Sequence, residues 1–258
     1  MLRSGMNDLS GVLKPLGMIE AIAALPHPAS LAELANRAGV PKPTVHRWLG
    51  TLEAAGLVQR TPDGRHYELA PRAATLAFSI LSNQPSGIIR HEILRRVVEQ
   101  VGEACNLTVL DGTEVTYLDR VESTWPLRIT FQQGSKVPAY CSASGKLFLA
   151  LMRAAKRDLI LQNITLEKHT ETTITDRDGL LEELATIRAK GYALDRQEFM
   201  SGLACIAVPI LHKKENSQSC VAALAIQAPV TRMVEDDLLT KLPVLQKAAT
   251  ELAATLTE

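Results

Sequence analysis

The sequence lacks the features that mark membrane, secreted and metal-binding proteins. No apolar run in its 258 residues approaches the roughly 18 residues that a membrane helix needs. The N-terminal segment MLRSGMNDLSG has no apolar stretch of the kind found in secretory signals. The four cysteines form no Cys-x-x-Cys pair and no cluster with histidine, which favours a reducing cytoplasm over a disulfide scaffold or a zinc site. We therefore expect no membrane contact, no metal and no other cofactor.

Net charge is also absent, because 28 basic residues balance 28 acidic ones. The balance is uneven along the chain: residues 1–72 carry 8 − 6 = +2, and the remainder carries 20 − 22 = −2. This excess at the N-terminal end is by itself a minor indication of nucleic-acid contact. The apolar fraction of 46% and the charged fraction of 22% are those of ordinary globular domains.

Residues 1–72 predict a domain with the order helix, helix, tight turn, helix, hairpin. Ser30-Leu31-Ala32-Glu33 is a capping box that opens the second helix, and Gly39 ends it. Apolar spacing predicts a third helix over residues 42–55. The segment Thr61-Pro62-Asp63-Gly64 then supplies the turn residues of a hairpin. This order is typical of a winged helix-turn-helix.

The third helix carries an apolar stripe on one side and polar residues on the other. In this fold the third helix enters the major groove of duplex DNA, and basic residues of the hairpin reach phosphates or the minor groove. Any one of these charges could equally be solvated surface, but their joint spacing favours DNA binding. The candidate DNA-binding residues are Lys42, Thr44, His46 and Arg47 on the helix and Arg60, Arg65 and His66 on or beside the hairpin.

Residues 73–85 predict a linker helix whose apolar residues include Leu76 and Ile80. A short apolar helix between two domains could be buried in its own subunit or could pair with its copy in a dimer. Winged-helix repressors read two half-sites, and a two-fold protein suits a pseudo-palindromic site. We therefore expect a homodimer, or a dimer of dimers, on double-stranded operator DNA.

Residues 86–258 predict a second domain of the α+β class, because strands from both of its halves are combined with helices at its start, middle and end. The segment 134–138 is expected to be a loop, and Ser142 is expected to cap the helix that follows. Periodicity does not supply the strand order. The expected elements are helices over residues 88–101, 143–152, 155–162, 177–190 and 235–256 and strands over residues 107–110, 115–118, 127–131, 192–195, 203–210 and 221–227.

The stretch SLAELANRAGVPKPTVHRWLGTLEAAGLVQRTPDGRHYELAPR resembles the DNA-binding domain of the IclR-type transcriptional regulators. Lys42, Thr44 and Arg47 fall on the family's pattern. Pro43 departs from it, because a small hydroxyl residue is common there and proline has no amide to donate. Trp48 is bulkier than the leucine expected at its position and is interpreted as a core residue.

Further landmarks of the same family follow in order along the chain, so that the resemblance covers roughly residues 15–232. They imply a GAF-like effector domain, an antiparallel sheet with helices on its faces, and thus a ligand-responsive transcriptional regulator or repressor. The landmarks are Gly134-x-x-Val137-Pro138, Ser142-Ala143-Ser144-Gly145-Lys146, Ile187-Arg188-Ala189-Lys190-Gly191-Tyr192 with Asp195 and Glu198, and the segment 202–209.

The helix that begins near Ser142 points its first amides and its positive dipole end toward whatever precedes it. The small residues after Ser142 would let a carboxylate approach those amides. The resemblance implies that a small organic acid or an aromatic compound binds there. Gly145 is a candidate because of its small size, and Trp125, Leu127 and Ile129 are candidate apolar walls. The effector-binding residues that the resemblance implies are Val137, Ala143, Ser144, Asp195, Leu203, Cys205, Ala225 and Gln227.

Each of these residues also has a purely structural interpretation. Ser144 could serve only to begin a helix, and Cys205 could be a small buried hydrophobic residue. Asp195 could pair with a nearby arginine. Gln227 is a lone polar residue in an apolar strand; if it is buried it needs a hydrogen-bond partner, and a ligand could be that partner.

Signatures of catalysis are missing from the sequence. Gly145-Lys146 resembles the end of a phosphate-binding loop, but Tyr140 and Leu147 stand where that loop needs glycine and a hydroxyl residue. There is no G-x-S-x-G or H-E-x-x-H motif, so no catalytic residue is nominated. The alternatives to a ligand-responsive regulator are a constitutive repressor whose second domain only dimerises and an enzyme with a vestigial DNA-binding domain.

Overall fold

The computed structural model describes residues 14–25, 27–83, 85–126, 131–214 and 217–255. The chain divides into two compact units, residues 1–80 and 81–258. The linker predicted at residues 73–85 spans this division. None of the helices within the described ranges is both long enough and apolar enough to cross a membrane. In the same ranges, no group of three or more His, Cys, Asp or Glu side chains is arranged to hold a metal ion.

The first unit is a winged helix-turn-helix, as the sequence predicts. Its three strands are antiparallel and lie in the order β1-β3-β2. The strand β1 was not predicted, because two residues are too few to show an alternating pattern. The elements are α1 (Lys14–Ala23), β1 (Ala29–Ser30), α2 (Leu31–Ala38), α3 (Lys42–Ala54), β2 (Val58–Arg60) and β3 (His66–Leu69), followed by α4 (Pro71–Asn83).

Local chemistry sets both ends of α2. Ser30 Oγ accepts a hydrogen bond from the Glu33 amide at 3.2 Å, which confirms the serine half of the capping box. Gly39 ends the helix at φ 66°, a left-handed conformation that glycine adopts without steric cost. Because both ends of α2 are fixed, the short turn after Gly39 sets where α3 begins.

The predicted apolar stripe of α3 is buried. Trp48 is only 8% exposed, which confirms its interpretation as a core residue. The stripe packs against side chains from α1, α2 and β3. The opposite side of α3 is thereby left facing outward. The stripe residues are Val45, Trp48, Leu49 and Leu52.

The second unit contains a six-stranded antiparallel sheet in the order β6-β5-β4-β9-β8-β7, which confirms the α+β class. The strands are β4 (Ala104–Asp111), β5 (Glu114–Val121), β6 (Lys136–Pro138), β7 (Ala193–Arg196), β8 (Leu203–Lys214) and β9 (Ser217–Pro229). The helices are α5 (Pro85–Val101), α6 (Ala143–Leu151), α7 (Ala154–Gln162), α8 (Arg177–Lys190), α9 (Glu235–Thr240) and α10 (Leu242–Thr255).

Side-chain alternation sends two apolar sets to opposite faces of the sheet. On β9, Ala223 and Ala225 belong to the cluster that packs with α6 and α8. Leu224 and Ile226 alternate with them and point to the other face, where α5 and α10 lie against the strands. Since alanine side chains fill little space, the α6 face of the sheet has room for a cavity.

Two predicted elements differ from the structure by more than a shift of their ends. The segment expected to be a loop over residues 134–138 ends in β6, because Val137 pairs with Val115 of β5. The closing helix expected over residues 235–256 is interrupted at Lys241, which separates α9 from α10. The first difference arises because a three-residue strand is too short for a sequence pattern.

The prediction that the Ser142 side chain caps α6 is wrong. Ser142 does precede the helix, but its side chain makes no capping hydrogen bond. Its hydroxyl donates instead to the carbonyl oxygen of Pro138 at 2.8 Å. The strand predicted over residues 127–131 lies outside the described residues except for Phe131.

Candidate functional site

The outward side of α3 carries the predicted DNA-binding residues. Lys42, His46 and Arg47 are exposed, and Thr44 is half-buried. The first turn of α3 holds no acidic residue and receives no side-chain cap. Because the helix dipole is positive at this end, cations there destabilise the isolated helix, but they favour the binding of a phosphate.

The position of Arg47 is fixed by its neighbours. Trp48, the next residue, anchors the helix in the core of the first unit. The carbonyl oxygen of Arg47 accepts a hydrogen bond from Thr51 Oγ1 at 3.1 Å. The backbone beneath Arg47 is therefore held, while its side chain extends into solvent.

The wing turn is organised by Asp63. Its carboxylate accepts hydrogen bonds from the Thr61 hydroxyl and, at 2.9 Å, from the Arg65 amide. Its second oxygen lies 3.1 Å from Nδ1 of His66. These hydrogen bonds, with that of Thr61 the strongest, lower the pKa of Asp63 to about 2. The turn thus presents exposed Arg65 beside an ionised carboxylate, and His66 is engaged by that carboxylate.

Arg60 is less available than its sequence position suggests. Its Nε lies 3.4 Å from Glu53 Oε1, and its guanidinium lies over the ring of Tyr67, 5.0 Å from the centroid. Both partners belong to the first unit, so a phosphate would have to compete with Glu53 for Arg60. Among the cations expected to contact DNA, those of α3 are thus the better placed.

The second candidate site is a cavity between the sheet of the second unit and the start of α6. The structure brings together eight of the predicted effector-binding residues around it. These are Val137, Ala143, Ser144, Asp195, Leu203, Cys205, Ala225 and Gln227.

The other four predicted residues are not brought to this cavity. A Cβ atom on Gly145 would stand 2.2 Å from the carbonyl oxygen of Ala139, so this glycine serves close backbone packing. Trp125 is half-exposed and stacks with Arg232, whose guanidinium lies 5.3 Å from its ring centroid. Leu127 and Ile129 lie outside the described residues.

The start of α6 forms one end of the cavity. Ala143 and Ser144 line it with their small side chains, and both are buried. The Ser144 hydroxyl has no hydrogen-bond partner among the described residues. Because the Ser142 side chain is turned toward Pro138, the first turn of α6 also keeps its amides available at this end. This end of the cavity can bind an anion.

A chain of polar side chains forms a second wall. Asn106 Nδ2 donates to Gln227 Oε1 at 3.0 Å. Arg120 donates to Asn106 Oδ1 and, at 2.6 Å, to Glu122. Gln227 is therefore buried with a protein partner, so its burial does not require a ligand as the partner.

Sequence reasoning missed Asn106 and Thr108, which face this cavity from β4. The signal that could have found them is the one that drew attention to Gln227, a polar residue at alternating positions of an apolar strand. Thr108 Oγ1 donates to the Ala223 carbonyl at 3.3 Å. The polar wall is therefore spread over adjacent strands of the sheet.

An aromatic wall was also missed. Tyr117 and Phe131 stack with their ring centroids 5.3 Å apart, and Phe199 follows at 6.3 Å from Phe131. All three residues line the cavity. Two of the four phenylalanines in the chain are thus placed at one site. They come from segments far apart in sequence, which spacing alone does not bring together.

A buried acid faces the same cavity. Asp195 is only 2% exposed, and its Oδ1 accepts a hydrogen bond from the Glu198 amide at 2.7 Å. Burial, reinforced by the nearby Glu198 carboxylate, raises the pKa of Asp195 to about 7. The alternative that Asp195 pairs with a nearby arginine is not found, since Arg188 donates to backbone carbonyls and Arg196 to Glu235.

A buried lysine lies behind the acid. Lys146 is fully buried, and its Nζ donates to Glu198 and, at 3.0 Å, to Glu183. Burial raises the pKa of Glu198, although Lys146 opposes this shift. Within the described residues the second oxygen of Glu198 has no hydrogen-bond partner. Lys146 thus joins α6 to α8 and to the segment that carries Asp195.

The cysteines near the cavity are poor nucleophiles. Burial raises the pKa of the Cys141 thiol to about 12. Burial, reinforced by Asp195, raises the pKa of the Cys205 thiol well above its usual value. Because the thiolate is the reactive form, neither residue is suited to covalent chemistry at neutral pH.

Both units match models of one protein family. Residues 11–62 match the IclR helix-turn-helix domain, and residues 79–254 match the C-terminal domain of the bacterial transcriptional regulator IclR. The probable transcriptional regulator SauR of Cupriavidus necator is 40% identical over 249 residues, which cover 96% of this chain and 98% of that one. The transcriptional repressor IclR of Escherichia coli is 31% identical over 247 residues, 95% of this chain and 89% of that one.

Solved structures agree with these relatives. The crystal structure of Thermotoga maritima IclR is 28% identical, with a TM-score of 0.63 over 96% of this chain and 98% of that one. A double mutant of the inducer-binding domain of the PobR transcription factor from Acinetobacter, in complex with 3-hydroxybenzoic acid, is 27% identical. Its TM-score is 0.58 over 64% of this chain and 95% of that one. The named relatives are transcription regulators and not enzymes, and the chain belongs to the IclR family of DNA-binding transcriptional regulators.

Proposed function

We propose that this regulator responds to a small carboxylic acid, aliphatic or aromatic, bound in the cavity of the second unit, and that binding changes its affinity for operator DNA. The observation that carries the proposal is the start of α6, which places Ser144 in the lining of the cavity and leaves the first amides of the helix without a side-chain cap. An anion is stabilised at such a helix start. The binding of 3-hydroxybenzoic acid by the PobR domain supports the same class of ligand.

The walls of the cavity suit the rest of such a ligand. Tyr117, Phe131 and Phe199 offer ring faces to a planar apolar body. Asn106 and Gln227 lie on the polar wall and would read a hydroxyl or carbonyl group. We infer that the effector contacts the eight lining residues that the sequence predicted. It also contacts the aromatic and polar walls.

The regulator acts as a homodimer, or a dimer of dimers, on a pseudo-palindromic operator. One chain supplies one recognition helix, and two half-sites require two helices related by symmetry. The effector shifts the balance between two arrangements of the dimer, for which a coupling free energy of about 1–3 kcal/mol is sufficient.

Calorimetry with acetate, benzoate and 3-hydroxybenzoate tests the effector site. We expect at least one acid to bind and to change the affinity for an operator selected from random duplexes by about 5- to 150-fold. The Ser144→Ala variant removes a hydroxyl that hydrogen-bonds the carboxylate, so it should weaken acid binding about tenfold or more. Thr250→Ala removes an exposed hydroxyl from α10 and serves as the matched control.

Two results would contradict the effector proposal. Failure of every acid to bind would favour a constitutive repressor whose second unit only dimerises. Equal operator affinity with and without a bound acid would show that the cavity has no regulatory role.

Salt titrations test the DNA surface. We expect Lys42→Ala and Arg47→Ala each to lower the affinity for a duplex and to reduce the slope of log K against log salt by about one, since each removes one phosphate contact. Arg95→Ala removes an exposed cation from α5 that is paired with Glu92 and Glu99, and it should leave the slope unchanged. A slope that Arg47→Ala does not alter would remove Arg47 from the interface.

A further inference from the structure

We propose that an acidic effector enters the cavity together with one proton, which Asp195 holds and donates as a hydrogen bond to the effector's carboxylate. The inference rests on the proposed function, because it needs an acid in the cavity. It adds a protein group that recognises the effector's carboxylate, and it makes effector binding depend on pH.

The charges behind the cavity support proton uptake. The carboxylates of Glu198 and Glu183 share the buried cation Lys146, and Asp195 adds a third carboxylate. Arg196 lies 3.6 Å from Glu183 but is held by Glu235 at 2.7 Å. An anionic effector would therefore bring a further negative charge close to three carboxylates. Neutralising one carboxyl removes the repulsion.

Asp195 is the carboxyl best placed to take that proton. It lines the cavity, whereas Glu183 and Glu198 are bonded to Lys146. In the free protein, burial and Glu198 already raise the pKa of Asp195 to about 7. A second carboxylate beside it would raise that pKa further, so the bound state keeps the proton across the physiological range.

The other charged and titratable groups that face Asp195 do not compete for this role. Burial raises the pKa values of the Tyr117 phenol and of the Cys141 and Cys205 thiols, so these three groups stay neutral near pH 7. Of the two cations, Lys146 is engaged by Glu183 and Glu198. Arg120 is engaged by Glu122 and Asn106. The groups are Tyr117 on β5, Cys141 before α6, Cys205 on β8, Glu198, Lys146 and Arg120.

The sign of the pH dependence follows from this assignment. Below pH 7 the free protein already holds the proton, so the Kd of an anionic effector is constant. Above pH 7 the proton must be taken from solvent, and Kd rises toward tenfold for each pH unit. Between pH 6 and pH 8 we therefore expect binding to weaken about tenfold, with uptake of one proton per ligand at the higher pH.

Calorimetry of the full chain measures affinity and proton uptake together. The ligands are acetate, benzoate and 3-hydroxybenzoate, and each is titrated at pH 6 and pH 8 in two buffers of different ionisation enthalpy. Asp195→Asn keeps a hydrogen-bond donor but has no proton to exchange, so its affinity should be the same at both pH values. Asp111→Asn alters an exposed aspartate outside the cavity and should keep the wild-type pH dependence.

The outcomes separate this inference from the proposed function. An acid that binds the wild type equally well at pH 6 and pH 8, without proton uptake, overturns the role of Asp195 and leaves the effector site standing. Failure of all the acids to bind at pH 6 overturns both. If Asp195→Asn does not fold, the buffer dependence of the wild type still decides the question.

Discussion

Gly145→Ala will destabilise the second unit by at least about 3 kcal/mol, at the upper end of the usual cost of overpacking. The added Cβ would lie 2.2 Å from the carbonyl oxygen of Ala139 and 2.3 Å from its Cα. These are backbone atoms, so no side-chain rotation relieves the contact. Either the segment before α6 or the helix itself must move.

A shift of α6 would be costly because the helix is buried along almost its whole length, from Ala143 to Ala150. Leu147 and Leu149 are fully buried, and their packing would open as the helix moved. A loss of this size is a large part of the roughly 5–15 kcal/mol that stabilises a typical domain. Gly145→Ala should therefore express as a partly unfolded or aggregating protein.

Urea unfolding followed by tryptophan fluorescence measures this effect. The chain has two tryptophans, Trp48 in the first unit and Trp125 in the second, so a Trp48→Phe background reports on the second unit alone. Gly50→Ala, followed through Trp48 without the Trp48→Phe substitution, is the control: it lies in α3, its added Cβ meets no atom within 4 Å, and it should be neutral or stabilising by about 1 kcal/mol. An unchanged midpoint for Gly145→Ala would contradict the close packing.

Gly145 also illustrates what the sequence could predict of the site. Its small size beside a helix start predicts access for an anion, and the small residues Ala143 and Ser144 do line the cavity. Sequence spacing could not show that the backbone of Ala139 returns against the helix at the next position. A small residue that admits a ligand and a small residue that permits close backbone packing look the same in the sequence.

The fold was predictable where periodicity and turn chemistry act locally. The capping serine of α2, the glycine after it and the hairpin of the wing were each predicted and confirmed. The strands β1 and β6 were missed because two or three residues show no alternation. The aromatic wall was missed because Tyr117, Phe131 and Phe199 meet only through tertiary packing, which leaves no signal in local spacing.

Lys146→Met will destabilise the second unit by about 3–5 kcal/mol at pH 8, the usual cost of leaving a buried charge without its partner. Methionine fills nearly the same volume, so the loss is electrostatic. Glu198, which is only 3% exposed, would lose its cation together with its hydrogen bond. Lys136→Met removes an exposed lysine paired with Asp111 and should cost less than about 1 kcal/mol.

The pH dependence of the Lys146→Met effect identifies its cause. Burial already raises the pKa of Glu198, and loss of Lys146 removes the largest opposing influence. In the variant, folded Glu198 keeps a proton that the unfolded chain releases above its ordinary pKa. The free energy of unfolding of the variant must therefore fall, relative to the wild type, as pH rises from 5 to 8. Urea unfolding at the two pH values measures this difference.

The double variant Lys146→Met/Glu198→Gln tests the same electrostatics without a change of pH. A neutral glutamine no longer needs a cation, so the second substitution should recover much of the stability lost by the first. If Lys146→Met were destabilising equally at pH 5 and pH 8, and Glu198→Gln recovered nothing, the loss would come from packing of α6. Lys146 would then stabilise the second unit by filling space and not by its charge.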